Sequence, residues 1–171
     1  MSPQPEDFAD RHVARWRDHW IDIPFEDDVE AMVVRINQVH RYLKANTQKA
    51  LAELGLQDSE YDTLHHLMIR DTPGRAAPTE LARVLGVTGA GMTSRLDALE
   101  RRGWVQRTPA VDDRRRVDIE VTKAGVEIWR RAMRRRGDSE DELATALSAA
   151  ELRSVNKLLK KLTLRIEAQQ D

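Results

Sequence analysis

The stretch PTELARVLGVTGAGMTSRLDALERRGW, residues 78–104, restricts the fold more than any other. Thr79 to Leu85 has the apolar spacing of a short helix, and Gly86-Val87-Thr88 is a turn whose threonine is suited to cap a second helix through its side-chain oxygen. Residues 89–102 form that second helix, which ends at Gly103. At 3.6 residues per turn, Met92, Leu96 and Leu99 fall on one side of it and point to a core. Ala90, Gly91 and Ser94 lie on or toward the opposite side, with Thr93 on a flank. Two short helices about a tight turn, the second apolar inside and small and polar outside, make a helix-turn-helix.

That outer face suits close approach to another macromolecule. In a major groove, hydroxyls can meet base edges or phosphates and methyls can meet thymine, while the first helical turn offers free backbone N–H groups to a phosphate. The plainer reading is an ordinary solvent-facing helix. Against it stand Gly89 and Gly91, which each cost about 1 kcal/mol of helix stability relative to alanine. DNA contact is therefore expected at Thr88, Gly89, Ala90, Gly91, Thr93 and Ser94.

Behind this unit, WVQRTP and VDIEVT read as two strands, the second with Val117, Ile119 and Val121 alternating with Asp118 and Glu120. Between them lies VDDRRR, so Arg114, Arg115 and Arg116 occupy a hairpin tip. Guanidinium groups there suit phosphates and narrow minor grooves. A nearby carboxylate, Asp112 or Asp113, pins an arginine more plausibly than it reads a base. Net charge is only −1, but residues 101–136 hold eleven Arg and one Lys against three Asp and two Glu, a local excess of +7. Such separation of sign says more about partners than the sum does.

The flanks are helical. Residues 7–20 carry Val13, Trp16 and Trp20, closed by Pro24. A second helix, with an acidic start that complements the helix dipole, carries Val29, Met32, Val33, Ile36, Val39 and Leu43 up to Gly55. A third opens at Asp58-Ser59, carries Tyr61, Leu64, Leu67 and Met68, and stops before the turn DTPG. From Thr122 a long helix passes Trp129 and Met133, with Gly137-Asp138 as a candidate kink or interruption. The last helix opens on a capping box, Ser148-x-x-Glu151, and then carries Leu152, Val155, Leu159, Leu162 and Ile166 in alternating steps of three and four, a seam for helix-on-helix packing. Both chain ends hold more apolar surface than one small domain needs. The expected fold is mainly α with a small β-hairpin wing, organised as 1–54 (N-terminal and first dimerisation helices), 55–125 (winged helix-turn-helix) and 126–171 (C-terminal dimerisation helices), in one compact domain.

Several classes are disfavoured. The chain has no cysteine, hence no disulfide, thiolate metal site or thiol redox sensor. It has no apolar run of membrane length and opens on a polar, charged segment, so a cytoplasmic, nucleoid-associated protein with no membrane partner is expected. His12, His19, His40, His65 and His66 form no HxxxH or HExxH pattern, so neither metal nor cofactor is expected. No phosphate loop or nucleophile motif marks an enzyme. The rival reading from another class is a dimeric winged-helix module that binds protein.

Leu81-Ala-x-x-Leu-Gly-Val-Thr, GMTSRLDALERRGWVQR and DDRRRVDIEVTKAG together resemble the MarR family of bacterial transcription regulators, over about residues 29–168. The resemblance implies a homodimer of winged helix-turn-helix lobes on the inverted repeat of a palindromic operator, a repressor released by a small anionic or phenolic ligand. It places the recognition helix at about 88–102, the wing at about 105–121 with Asp113 bracing Arg115, and the dimer interface at the chain-end helices, including Leu152, Val155, Leu159, Leu162 and Ile166. Val121-Thr122 departs from the more usual Leu-Thr. Arg95 turns toward the scaffold and needs an anionic partner, for which Asp62 is a candidate, although Asp62 could instead complete a capping box with Ser59. The chain is also similar to a urate-responsive subset, which implies a ligand site at Trp16 or Trp20, Asp62, Arg95 and Arg107. WIDIPFEDDVEA lacks that subset's proline-aspartate spacing, and dimer packing is an alternative role for both tryptophans. An anion competing with Asp62 for Arg95 would shift the recognition helix.

Overall fold

The computed structural model describes residues 5–17, 26–110 and 116–169. In chain order these form α1 (Phe8–Arg17), α2 (Asp27–Glu53), α3 (Asp58–Met68), β1 (Arg75–Ala76), α4 (Pro78–Val84), α5 (Gly89–Arg101), β2 (Val105–Pro109), β3 (Val117–Val121), α6 (Lys123–Ala144) and α7 (Ala149–Glu167). The chain divides into two compact units, Met1–Gln48 and Lys49–Asp171, so the division falls inside α2.

In the first unit, Ala9 and Val13 are the buried residues of α1. Arg35 on α2 holds that helix through Asp7 at 2.7 Å and Asp10 at 2.6 Å, and His12 meets Glu30 at 3.1 Å. The outward residues of α2 are apolar: Val29, Met32, Val33, Ile36 and Val39 are all exposed.

The second unit has one apolar core. Leu64 and Leu67 of α3, Leu81 of α4, Met92, Leu96 and Leu99 of α5, Val105 of β2 and Ile119 of β3 are all at least 98% buried. The three inward residues assigned to α5 from its periodicity are thus the ones that carry it into the core. The expected hairpin forms, with Val105 opposite Val121 and Pro109 opposite Val117. The sheet also has a third strand that periodicity does not reveal. β1 pairs antiparallel with β3, Ala76 opposite Ile119, giving the order β1-β3-β2. Two residues are too few to show alternation, and the preceding DTPG reads only as a turn. Gly74, at φ 84, makes that turn and accepts a 2.8 Å hydrogen bond from the Val121 N–H.

Two local expectations are corrected. The box at the start of α3 is closed by Glu60, whose Oε2 accepts the Gln57 N–H at 3.0 Å; Asp62 is exposed and closes none. Helix α6 runs unbroken through Gly137-Asp138. A single helical glycine costs only about 1 kcal/mol, and the Arg136–Glu140 pair at 2.6 Å spans the site. The capping boxes and caps read at Ser148 and Thr88 are present. No residue of α7 is buried; Leu152, Val155, Leu159, Leu162 and Ile166 all lie exposed. Among the described residues no helix is long and apolar enough to cross a membrane.

The join between hairpin and α6 is a close backbone approach. The Thr122 N–H donates to the Trp104 carbonyl at 3.0 Å, the Thr122 hydroxyl donates to the Gly103 carbonyl at 2.6 Å, and the Gly125 N–H donates to the Thr122 hydroxyl at 3.1 Å. A Cβ on Gly125 would overlap the Trp104 carbonyl oxygen and stand 2.8 Å from Val121 Cγ1. Gly125→Ala is expected to destabilise the lobe by about 3 kcal/mol, since the backbone itself must yield; urea denaturation of the variant measures it.

Candidate nucleic-acid interface

The helix that the sequence marks for DNA is held by both its cap and its core. Thr88 is extended, at φ −68 and ψ 157, and its Oγ1 accepts the Gly91 N–H at 3.1 Å. With Met92, Leu96 and Leu99 sealed inside, the rotation of α5 about its axis is fixed. Thr88, Gly89, Ala90, Thr93 and Ser94 are exposed, and Gly91 is half-buried against the Thr88 side chain. The Thr93 hydroxyl donates to the Gly89 carbonyl at 3.0 Å, which leaves its oxygen as an acceptor toward solvent.

Beside α5 stands the hairpin. Its tip, with Arg114, Arg115 and Asp113, lies outside the described residues. Arg116 is exposed, and its carbonyl accepts the Ala110 N–H at 2.9 Å. Below the tip an unforeseen arginine clasps all three strands. Arg75 on β1 donates from Nε to Asp118 Oδ2 on β3 at 3.0 Å and from Nη2 to the Pro109 carbonyl on β2 at 2.7 Å. The sequence signal for it is the acidic face of β3, Asp118 and Glu120, next to a basic residue of β1, a pairing invisible until β1 is known.

A second unforeseen feature is acidic. Asp97 and Glu100 of α5 line an open groove with Ser94 and Arg101. Arg107 of β2 reaches both: its Nη2 lies 2.5 Å from Asp97 Oδ1, its Nη1 bonds Glu100 Oε2, and its backbone N–H donates to Glu100 Oε1 at 3.3 Å. The hydrogen bond to Asp97, helped by Glu100, holds the guanidinium above its ordinary pKa. The arginine expected at a ligand site therefore already has two carboxylate partners.

The other residues expected at that site are not brought together as foreseen. Arg95 is half-buried and Asp62 exposed, and among the described residues no ion pair joins them. Trp16 belongs to the first unit, its ring 5.8 Å from that of His12 and inclined to it, and Trp20 lies outside the described residues. Asp62 instead adds its field to a neighbouring cluster between α3 and α6. There His65 stacks on Tyr61, and its Nδ1 accepts the Trp129 indole N–H at 3.3 Å, which requires a neutral ring at that nitrogen. Burial first, then the charges of Arg136 and His66, lower the His65 pKa, against a smaller opposing pull from Asp62. Among the described residues no group of three or more His, Cys, Asp or Glu is arranged to hold a metal.

The MarR family profile matches residues 54–116. The HTH-type transcriptional regulator PecS of Dickeya dadantii is 30% identical over 149 residues, 86% of this chain and 87% of that protein. The chain belongs to the MarR family. The transcriptional repressor MprA of Escherichia coli is 26% identical over 147 residues, covering 85% of this chain and 81% of MprA. Among solved structures, apo MarR of E. coli superposes with a TM-score of 0.63 at 28% identity, over 82% of this chain and 96% of that one. A mutant of MepR from S. aureus bound to an oligodeoxyribonucleotide shares the fold, with a TM-score of 0.62 over 79% of this chain and 97% of that one, at 21% identity.

Two outcomes follow for the site. Arg75→Ala removes both bonds of the clasp and is expected to lower lobe stability by about 1–3 kcal/mol, because it strands the half-buried Asp118; thermal melting of the variant checks it. His65 has a folded-state pKa below its ordinary 6.5. Unfolded chains then bind more protons in that window, so its contribution to stability is present above pH 6.5 and falls as pH drops toward the folded value. Melting temperature should decline below pH 6.5 less steeply in His65→Gln than in the wild type.

Proposed function

We infer that the chain is a DNA-binding transcriptional regulator that acts as a homodimer, with α5 as its recognition helix and the β2–β3 hairpin as its wing. The observation that carries this reading is the α5 face: small and polar outside, fixed in rotation by three fully buried residues inside, and set beside a hairpin whose tip sequence is Arg-Arg-Arg. The names of PecS and MprA as regulator and repressor support it, as does the oligonucleotide bound to MepR. Thr88, Gly89, Ala90, Gly91, Thr93 and Ser94 approach the major groove. Arg114, Arg115 and Arg116 meet phosphates or a minor groove, with Asp113 bracing Arg115. The family consists of regulators rather than enzymes, and no catalytic role is assigned.

Dimerisation is supported by α7. A 19-residue helix with no buried residue and a leucine-rich seam needs a partner surface, and a second copy supplies a matching seam by symmetry. Two lobes so joined meet half-sites about one turn apart, roughly 10 bp, in an inverted repeat. Repression is relieved by a small anion or phenol. Arg95 supports that ligand class: it is half-buried, with no carboxylate at ion-pairing distance among the described residues. Direct binding beside Arg95 thus replaces the expected competition with Asp62.

Selection from random duplex DNA should yield an inverted repeat. Replacing Arg114, Arg115 and Arg116 together by alanine should abolish specific binding while leaving the dimer folded. The slope of log K against log salt should become shallower by about 0.9 for each phosphate that the wing no longer neutralises. A variant that retards DNA as well as the wild type would remove the wing from the interface. A wild type with no duplex affinity at low salt would favour a protein partner instead.

A further inference from the structure

The outward stripe of α5 is not purely small and neutral. Ala90, Ser94, Asp97 and Arg101 follow one another in steps of four, three and four, directly opposite the buried Met92, Leu96 and Leu99. Asp97 therefore stands on the face that meets DNA, with its side chain 52% exposed. Glu100 flanks it, 39% exposed. A carboxylate on the reading face of a helix, with a second on its flank, is ill placed against a polyanion: each approaching phosphate adds a like-charge contact in a partly desolvated gap.

Arg107 answers both at once. Its two terminal nitrogens engage one carboxylate each, and its own backbone N–H bonds the second. Arg101 does not share this work, since its Nε donates to the Asp97 backbone carbonyl at 3.3 Å rather than to a carboxylate. Among the described residues, Arg107 is the cation at ion-pairing distance from Asp97 and from Glu100. Its fork has neutralised one helix turn of α5 and, in the same bonds, tied the reading helix to the first strand of the wing.

We propose that Arg107 is a positioning residue for DNA recognition: it acts through Asp97 and Glu100, cancelling their charge at the DNA-reading face and its flank, and does so without touching DNA itself. The proposal rests on the DNA-binding reading above. It explains why an acidic pair is tolerated at the edge of that face. A planar, two-armed guanidinium can satisfy two carboxylates on one helix while remaining part of a strand, which an ammonium group cannot reproduce with the same geometry.

The test uses the full-length protein and a selected duplex. Arg107→Gln is expected to weaken binding about tenfold, because it leaves two uncompensated carboxylates facing phosphates. Adding Asp97→Asn and Glu100→Gln to it removes the repulsion and should restore affinity to within about threefold of the wild type. Asp97→Asn with Glu100→Gln alone frees the guanidinium and should bind at least as tightly as the wild type. Far-UV circular dichroism and melting of each variant report folding separately. If Arg107→Gln is folded and binds as the wild type, the proposal fails. If the triple variant stays as weak as Arg107→Gln, the arginine contacts phosphate directly and the proposal also fails. A wild type that binds no duplex at low salt would instead overturn the DNA-binding reading, and is seen before any variant is made.

Discussion

Burial of one side of α5 is the constraint on which the rest depends. Met92, Leu96 and Leu99 are essentially inaccessible to solvent, and each such side chain is worth about 2–5 kcal/mol on truncation. Three of them along one helix fix how far it is rotated and how deeply it sits. Once that is set, every outward residue of α5 has a defined direction. The capping bond from Gly91 to Thr88 fixes where the helix begins, and the positive φ of Gly86 and Gly103 closes the turns at either end. The small outward residues are held in direction because the opposite face is large and fully packed.

Arginine then does three separate structural jobs around this helix, each with the same planar fork. Arg75 clasps the three strands below the wing tip. Arg107 ties α5 to β2 through two carboxylates. Arg102, just past the end of α5, lies 4.6 Å over the Trp104 ring, donates to the Gly55 carbonyl at 2.6 Å and meets the buried Glu60 at 3.2 Å. Glu60 in turn closes the capping box of α3. The basic excess between residues 101 and 136 is therefore not one undifferentiated patch. Part of it is used inside the lobe, where the Arg102 and Arg107 guanidiniums each meet two oxygens and so hold neighbouring elements together.

The two long amphipathic faces follow a different logic. Val29, Met32, Val33, Ile36 and Val39 of α2 and the whole of α7 find no cover within their own unit. Exposed leucine and valine of that extent mark a surface suited to a partner, and a second copy would offer a matching seam by symmetry. The regular spacing of the α7 seam is the signature of helix pairing, not of a helix laid on a globular core.

Local periodicity and turn chemistry determined a good deal from the sequence alone. The two-helix unit about Gly86-Val87-Thr88, the inward trio of α5, the hairpin with its alternating β3, the Ser148 box and the exposed seam of α7 all depend on residues close together in the chain, where spacing and capping act directly. The tertiary structure alone decided what depends on partners far apart. The two-residue β1 exists because β3 is there to pair with it. Glu60 rather than Asp62 closes α3, because its second oxygen meets an arginine more than forty positions away in the chain. Arg95 and Asp62 stay apart, while Arg107 joins two acids on another element. A charged side chain's partner is set by where distant backbones bring it, and long flexible arginines reach several candidates equally well on paper. Sequence therefore determines which faces are apolar and where elements begin, whereas packing chooses which charges meet.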